Sequence, residues 1–467
     1  MAVESQDRVI QKANAAAAPM APGPKGLPLL GPAIQMRRDL VGFMHSGMLE
    51  YGDVVRVAAG FGKYAFEAFG IFHPEGAQRV LAGNADNYDK SDQAYEEVRN
   101  LLGNGLLTSE GDVWKRQKRM VQPLFTHKRV AAYVPLIADE AQTVVDRWRP
   151  AQVAGTPVDL HEEMTRVTLR VVGRAVFGTD VDHMIPVFKD SVPYLSRRAF
   201  ERGVMPVRVP EDWPLPSNRK AAAYKADIYA VVDELIASRR AHPTGGDDLV
   251  NMLLRAQDPE GGEGLSDEEV RDQALIFLMA GHETTATALT FTLHLLGLHP
   301  EVQARVHEEV DQVLGDGEPT MEQALALQYT TQTIKEAMRL YPSAHSTPRT
   351  AVTDDVISGY RIPAGAVVVP SPWVTHRHPA FWDEPGRYDP DRFTPEREKA
   401  RHRYAYFPFG GGPRACIGQY FSMLESVFVT ALLMRNYDVK TVDGKVKLFQ
   451  GITLRPNQPM PAHLTPR

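Results

Sequence analysis

Ser266, Asp267, Glu268 and Glu269 form a Ser-x-x-Glu capping box, and the chain behind it stays largely apolar until Pro300. A serine hydroxyl can accept from the N–H three residues on while the glutamate returns the bond, so the helix has a defined start. Pro300 cannot continue it. The spacing predicts a single helix of roughly 32 residues and ~48 Å. A helix of that length crosses a whole domain, and the other elements must pack around it. Within its apolar run Ala274 to Leu298 lies Ala280-Gly281-His282-Glu283-Thr284-Thr285, and polar groups there are expensive to bury without partners. Gly281 weakens the helix, and Thr284 or Thr285 can bond the carbonyl four residues back, so a local kink is expected.

Around this helix the chain reads as mainly α with a smaller β region. Apolar residues recur at helical spacing from about Glu75 to Lys335, as in Val130 to Trp148 and Ala221 to Arg240. Prolines at 186, 193, 206, 210, 214 and 216 imply short helices joined by irregular chain there. Strand signals flank Gly60-Phe61-Gly62, which reads as a hairpin between Val54–Ala58 and Tyr64–Phe69. They return at Val356–Tyr360 and Ala366–Val369 across Pro363-Ala-Gly365, and at Asp443-Gly444, a hairpin dipeptide. The Ala-rich residues 1–21 read as a flexible leader, Pro22 to Pro28 as a stiff lead-in, and 22–467 as one domain without internal repeats.

A net charge of -6 argues against nucleic acid, which is bound by clustered Lys and Arg. No run of about 18 apolar residues is present for a membrane span. One cysteine among 467 residues cannot close a disulfide within the chain, which suits a reducing cytoplasm and leaves one thiol to explain. A lone cysteine is most often a small buried hydrophobe.

That thiol lies in Phe409-Gly-Gly-Gly-Pro-Arg-Ala-Cys416-Ile-Gly418, ahead of an amphipathic helix beginning near Gln419. Glycines let backbone approach a flat ligand, and a helix N-terminus together with Arg414 favours the thiolate. A phosphate cradle would need Lys-Ser or Lys-Thr at the helix start, and neither occurs. His282-Glu283 begins a zinc helix motif, but Ala286 stands where the second histidine would be, so zinc is rejected.

The Cys416 segment resembles the cytochrome P450 haem signature Phe-Gly-x-Gly-x-Arg-x-Cys-x-Gly at every specified position, and two further family motifs follow the expected order. The resemblance implies the P450 fold, one haem b with Cys416 as axial iron ligand, and insertion of one atom of O2 into a lipophilic small molecule: a terpenoid, fatty acid, steroid or macrolide. It implies Glu283 and Thr284 as the acid and alcohol of oxygen activation. Phe409 and Gly418 belong to the haem loop, and Trp114, Lys118, Arg349 and Arg414 are implied propionate ligands. Lys118 stands where the family more usually has Arg or His. Glu336, Arg339 and Arg392 correspond to the structural Glu-x-x-Arg and Pro-x-Arg-Phe triad, although on spacing alone Glu336 and Arg339 read equally as a surface ion pair.

The pocket walls implied by the family are 84–107, 186–216, 277–284, 343–347 and 451–453. With no nucleotide fingerprint and no cysteine cluster, electrons are expected from a ferredoxin with its reductase or from a flavodoxin. The basic run Lys115, Arg116, Lys118, Arg119, with Lys399, Arg401 and Arg403, is a candidate docking patch or a solvated face. The alternatives are a peroxide-driven peroxygenase, which needs no acid–alcohol pair, and a haem sensor or carrier without turnover.

Overall fold

A computed structural model describes residues 17–26, 31–60, 66–178, 182, 184–205, 208–242, 246–315 and 319–467. The leader through residue 16, Leu27 and Pro28 of the lead-in, Phe61 to Ala65 of the glycine hairpin, and Pro206 lie outside the described residues.

The long helix spans Asp267–Leu298, with both bonds of the capping box formed at Ser266 and Glu269. It is buried on all sides through most of its length, the condition of a helix at the centre of a domain. Helix Leu160–Phe177 packs along it, with Gln328–Leu340, Gln419–Asn436 and Pro216–Ala241 around it. Its buried hydroxyls are satisfied internally: Thr290 donates to the Ala286 carbonyl at 2.7 Å and Thr292 to Ala288 at 2.8 Å. Thr284 likewise donates to Ala280 at 2.7 Å, and the helix runs unbroken through it.

The proline-rich region departs from expectation, because it carries two long helices, Ile185–Gly203 and Pro216–Ala241. Pro186 and Pro216 occupy first-turn positions, where the missing N–H has no partner to lose. Pro193 sits inside a helix, and burial of Phe188, Val192 and Leu195 offsets its cost.

The larger sheet comprises β1 (Val54–Ala59), β2 (Phe66–Ile71), β3 (Tyr88–Asp89), β4 (Arg349–Ala351) and β5 (Val367–Pro370). Their order is β1-β2-β5-β4-β3, with β2 and β5 parallel. The end of the segment read as a flexible leader is instead tied to the body, since the Pro19 carbonyl accepts from the Arg361 N–H and Ala21 is buried, and the lead-in follows with the Pro22 carbonyl accepting from Arg56.

Two turns differ from the sequence reading. Asp355–Ile357 pairs with Tyr360–Ile362 across Ser358 and Gly359, both at positive φ, while the Pro363–Gly365 bend only leads into β5. Asp443-Gly444 makes no hairpin. Asp443 instead accepts from the Lys445 N–H at 3.0 Å, and Tyr437–Thr441 pairs with Pro461–Pro466. A polar side chain bonding its own turn can substitute for a ladder. Among the described residues no helix is long and apolar enough to cross a membrane.

Candidate functional site

A cavity of about 1070 Å³ lies between the long helix and the Cys416 loop. Cys416, Phe409 and Gly418 line one side; Glu283 and Thr284 line the long-helix wall; Trp114, Lys118, Arg349 and Arg414 line the rim. Every residue that the sequence reading assigned to cofactor or chemistry therefore faces one space.

The loop is shaped by its glycines. Gly410 and Gly412 take φ of +70° and +65°, a region L residues rarely adopt. A Cβ on Gly412 would stand 1.8 Å from the Leu81 carbonyl oxygen. One on Gly410 or Gly418 would meet no protein atom within 4 Å, so both leave open the space beside the sulfur. The Cys416 N–H donates to the Phe409 carbonyl at 2.9 Å, which turns the thiol toward the cavity.

Arg414 does not stabilise the thiolate as expected. Its guanidinium donates to the Ser109 carbonyl at 2.9 Å and to Glu110 at 2.7 Å and lies 3.9 Å over the Trp114 ring. Burial pushes the Cys416 thiol up, with the Gly418 and Gln419 N–H groups opposing it. The helix start acts on sulfur as foreseen, while desolvation outweighs it. A cation at the iron position would reverse that balance.

At the rim, positive charge is in excess. Lys118 donates to the Pro413 carbonyl at 2.8 Å and lies 5.0 Å from the Trp114 ring. Arg349 donates to its neighbour Pro348 and to the Tyr95 hydroxyl at 3.3 Å, with no carboxylate partner among the described residues. The sequence reading missed Lys90, which is buried in the same wall and whose amine donates to the Leu107 carbonyl. Burial pushes that amine well below its ordinary value, helped by Arg349 and Arg414 and opposed by Glu110 and Asp92. Three cations and the Lys90 amine thus face two carboxylates, Glu110 and Asp92. The surplus suits a flat dianionic ligand such as haem with its two propionates, whose oxygens accept charge-assisted bonds. No local pattern marks Lys90, because its setting is wholly tertiary.

Glu283 pairs with Arg455, Nε to Oε1 at 3.2 Å, another partner the sequence did not reveal. All five expected wall segments contribute to the cavity. A further wall from Ala33, Met36 and Phe43 with Val57 and Phe66 of the sheet was not foreseen, since scattered apolar residues carry no signature of a pocket.

Glu336 and Arg339 are fully buried, with Arg339 Nε 2.6 Å from Glu336, so the surface-pair alternative is excluded. Arg339 also donates to Glu336 through a second nitrogen and to the carbonyls of His376, Pro385 and Arg387. Arg392 approaches Glu336 at 3.4 Å. Burial pushes the Glu336 carboxyl up, and the Arg339 bonds oppose this.

Three of the seven basic residues of the patch are ion-paired. Arg116 pairs with Glu269 at 2.6 Å, Arg119 with Asp258 at 3.0 Å and Glu260 at 3.1 Å, and Lys115 with Asp112. Arg401 stacks 4.0 Å over Trp382, which takes it into the structure. The run faces the acidic start of the long helix, and long-range pairing of this kind is invisible in a one-dimensional charge count.

The family model for cytochrome P450 matches residues 21–461. Cyclooctat-9-en-7-ol 5-monooxygenase of Streptomyces melanosporofaciens is 34% identical over 445 residues, 95% of each chain. Cyclooctatin synthase of the same organism is 36% identical over 90% of each chain. Pentalenene oxygenase of Streptomyces avermitilis is 33% identical over 89% of this chain and 90% of its own. The crystal structure of the cytochrome P450DA heme domain superposes with a TM-score of 0.87 at 30% identity, covering 96% of this chain and 98% of that one.

Proposed function

From the premise that the chain belongs to the cytochrome P450 family and is a haem-dependent monooxygenase, we propose that it hydroxylates a terpenoid. The reaction is C–H + O2 + NAD(P)H + H+ giving C–OH + H2O + NAD(P)+. The single observation that carries the site reading is the gathering of Cys416, Glu283, Thr284 and the cationic rim around one apolar cavity.

Haem supplies the reduction of O2, with the cysteine thiolate pushing electrons to favour O–O cleavage. Cys416 would hold the iron, and Lys90, Lys118, Arg349 and Arg414 would hold the propionates. Trp114 supports Lys118 and Arg414 through its ring face. Thr284 and Glu283 pass protons toward the oxygen from the long-helix wall, a general-acid role for groups within reach of the reacting atoms. That pair favours O2 chemistry over direct use of peroxide. Glu336, Arg339 and Arg392 keep the chain behind the haem in place.

Terpenoids are favoured because the cavity is mostly apolar and relatives act by name on cyclooctat-9-en-7-ol and pentalenene. An apolar wall with a few hydroxyls such as Ser343 and Thr347 orients a ligand with few polar groups. Electrons arrive from a ferredoxin with its reductase, or from a flavodoxin, in a reducing cytoplasm that keeps Cys416 unoxidised.

The test is a titration of the haem iron spin state with terpenoids, fatty acids, steroids and macrolides. NADPH-dependent turnover of the tightest binder under labelled O2 follows. A terpenoid is expected to bind tightest and to gain one labelled oxygen. A fatty acid or macrolide binding more tightly would contradict the substrate class, and product formed only with added peroxide would favour a peroxygenase.

A further inference from the structure

The hairpin formed by Leu448–Gln450 and Leu454–Pro456 presents Gly451 to Thr453 to the cavity, and its second strand carries Arg455. That guanidinium is 3.2 Å from the Glu283 carboxylate, with the two side chains only 15% and 13% exposed. It also lies 4.3 Å from the Phe449 ring, and the exposed Arg197 lies 4.8 Å from the same ring. Burial pushes Arg455 below its ordinary value, Glu283 opposes this and Arg197 adds to it. The guanidinium is thus held between the Glu283 carboxylate, the Phe449 ring and the Pro456 carbonyl.

A second route ties the hairpin to the same turn of the long helix. The Leu454 N–H donates to the Ser343 carbonyl at 2.8 Å, and the Ser343 hydroxyl donates to the Thr284 carbonyl at 2.9 Å. His345 Nε2 bonds the Gly451 carbonyl at 3.0 Å. One hairpin thus contacts the cavity through its turn, the acid through Arg455, and the backbone of the alcohol through Ser343.

We propose that Arg455 is the positioning residue for Glu283, so that the hairpin lining the substrate space also sets where the proton-carrying carboxylate points. This deepens the assignment of Glu283 and Thr284 to proton delivery and rests on it. When a proton arrives in time, the O–O bond breaks, one atom enters the substrate and the other leaves as water. When the carboxylate is misdirected, O2 leaves as H2O2 after taking two electrons and two protons, with NADPH as the electron source.

Other titratable groups near the pair do not compete for this role. His282 on the long helix and His161 on Leu160–Phe177 are both held low by burial. Arg197, from Ile185–Gly203, reaches Phe449 rather than the carboxylate. Among the described residues Arg455 is the cation paired with Glu283.

The test uses haem-loaded protein with a surrogate ferredoxin, its reductase and NADPH. One readout is peroxide formed per NADPH consumed without organic substrate, where timely proton delivery instead carries O2 on to two waters with a second NADPH. The other is the frequency of the Glu283 carboxylate stretch in infrared difference spectra at fixed pH, identified by its absence in Glu283→Gln. In Arg455→Met the band should move, because the carboxylate loses the guanidinium 3.2 Å away, and peroxide per NADPH should rise several-fold. Arg455→Lys should return both toward the parent. If Arg455→Met fails to hold haem, Phe449→Leu, which loosens the guanidinium without removing it, should move both readouts the same way by less. Parent values of both in Arg455→Met or Phe449→Leu, with peroxide raised in Glu283→Gln, would overturn the role of Arg455 alone. Parent peroxide in Glu283→Gln would overturn the proton-delivery assignment beneath it.

Discussion

The Glu336 cluster and the rim of the cavity are both built around buried arginines, and they are completed in opposite ways. Arg339 spends its guanidinium bonds on a carboxylate and three carbonyls, and Glu336 further accepts the Asp389 N–H at 2.9 Å. Nothing is left for a ligand. At the rim, Arg349 finds only a hydroxyl and a carbonyl, and Lys90 is pushed toward its neutral form by burial and its neighbours. A buried charge that is fully partnered belongs to the fold, whereas one short of counter-charge is prepared for something that brings it.

The largest effect should come from breaking the closed cluster. Glu336→Ala strands Arg339 and Arg392 in a dry site, at a cost of ~3–5 kcal/mol. Insoluble or strongly destabilised protein is expected in thermal melts. A parent-like melting temperature would erase the contrast between the two regions.

Opening the rim should do the reverse. Arg349→Met removes a cation with no carboxylate partner among the described residues, so the haem-free protein should be as stable as the parent or slightly more so. Haem should dissociate roughly ten- to a hundredfold faster, the equivalent of a charge-assisted bond. Haem transfer to an acceptor protein measures this, and destabilised apoprotein with unchanged haem transfer would mean the rim is structural too.

The contrast also explains what could be read from the chain. Local features were legible: the box at Ser266 and Glu269 fixed the long helix, and the glycines around Cys416 foretold its loop, because cap and turn chemistry act over a few residues. Lys90 and Arg455 were not, since their meaning comes from partners far away in sequence. The same blindness made Arg116 and Arg119 look free when Glu269 at the start of the long helix pairs the first and Asp258 and Glu260 before it pair the second. Proline count misled where position decides cost, as at Pro186 and Pro216.

A smaller effect is expected within the cavity. Thr284→Ala removes a hydroxyl bonded only to its own helix, so fold and haem content should stay at parent values. Product per NADPH should fall by about tenfold or more, a modest share of what a general acid supplies. Parent coupling would pass the role to Thr285, whose hydroxyl instead meets Ser422 at 3.0 Å.

The smallest effect belongs to the paired surface charges. Arg116→Glu with Arg119→Glu should slightly lower thermal stability by opposing Glu269 and Asp258, and should leave the salt dependence of reduction by a ferredoxin nearly unchanged. A large, salt-sensitive loss of reduction rate would restore these residues to a donor surface.

The central claim is that Cys416 is the sulfur ligand of a haem held in this cavity. The most direct measurement is the carbon monoxide difference spectrum of reduced parent and Cys416→Ser proteins at matched haem content. The account predicts the red-shifted band of a thiolate-ligated iron in the parent and its loss in the serine variant, since a hydroxyl ionises far less readily than a thiol. The same red-shifted band in both proteins would contradict it.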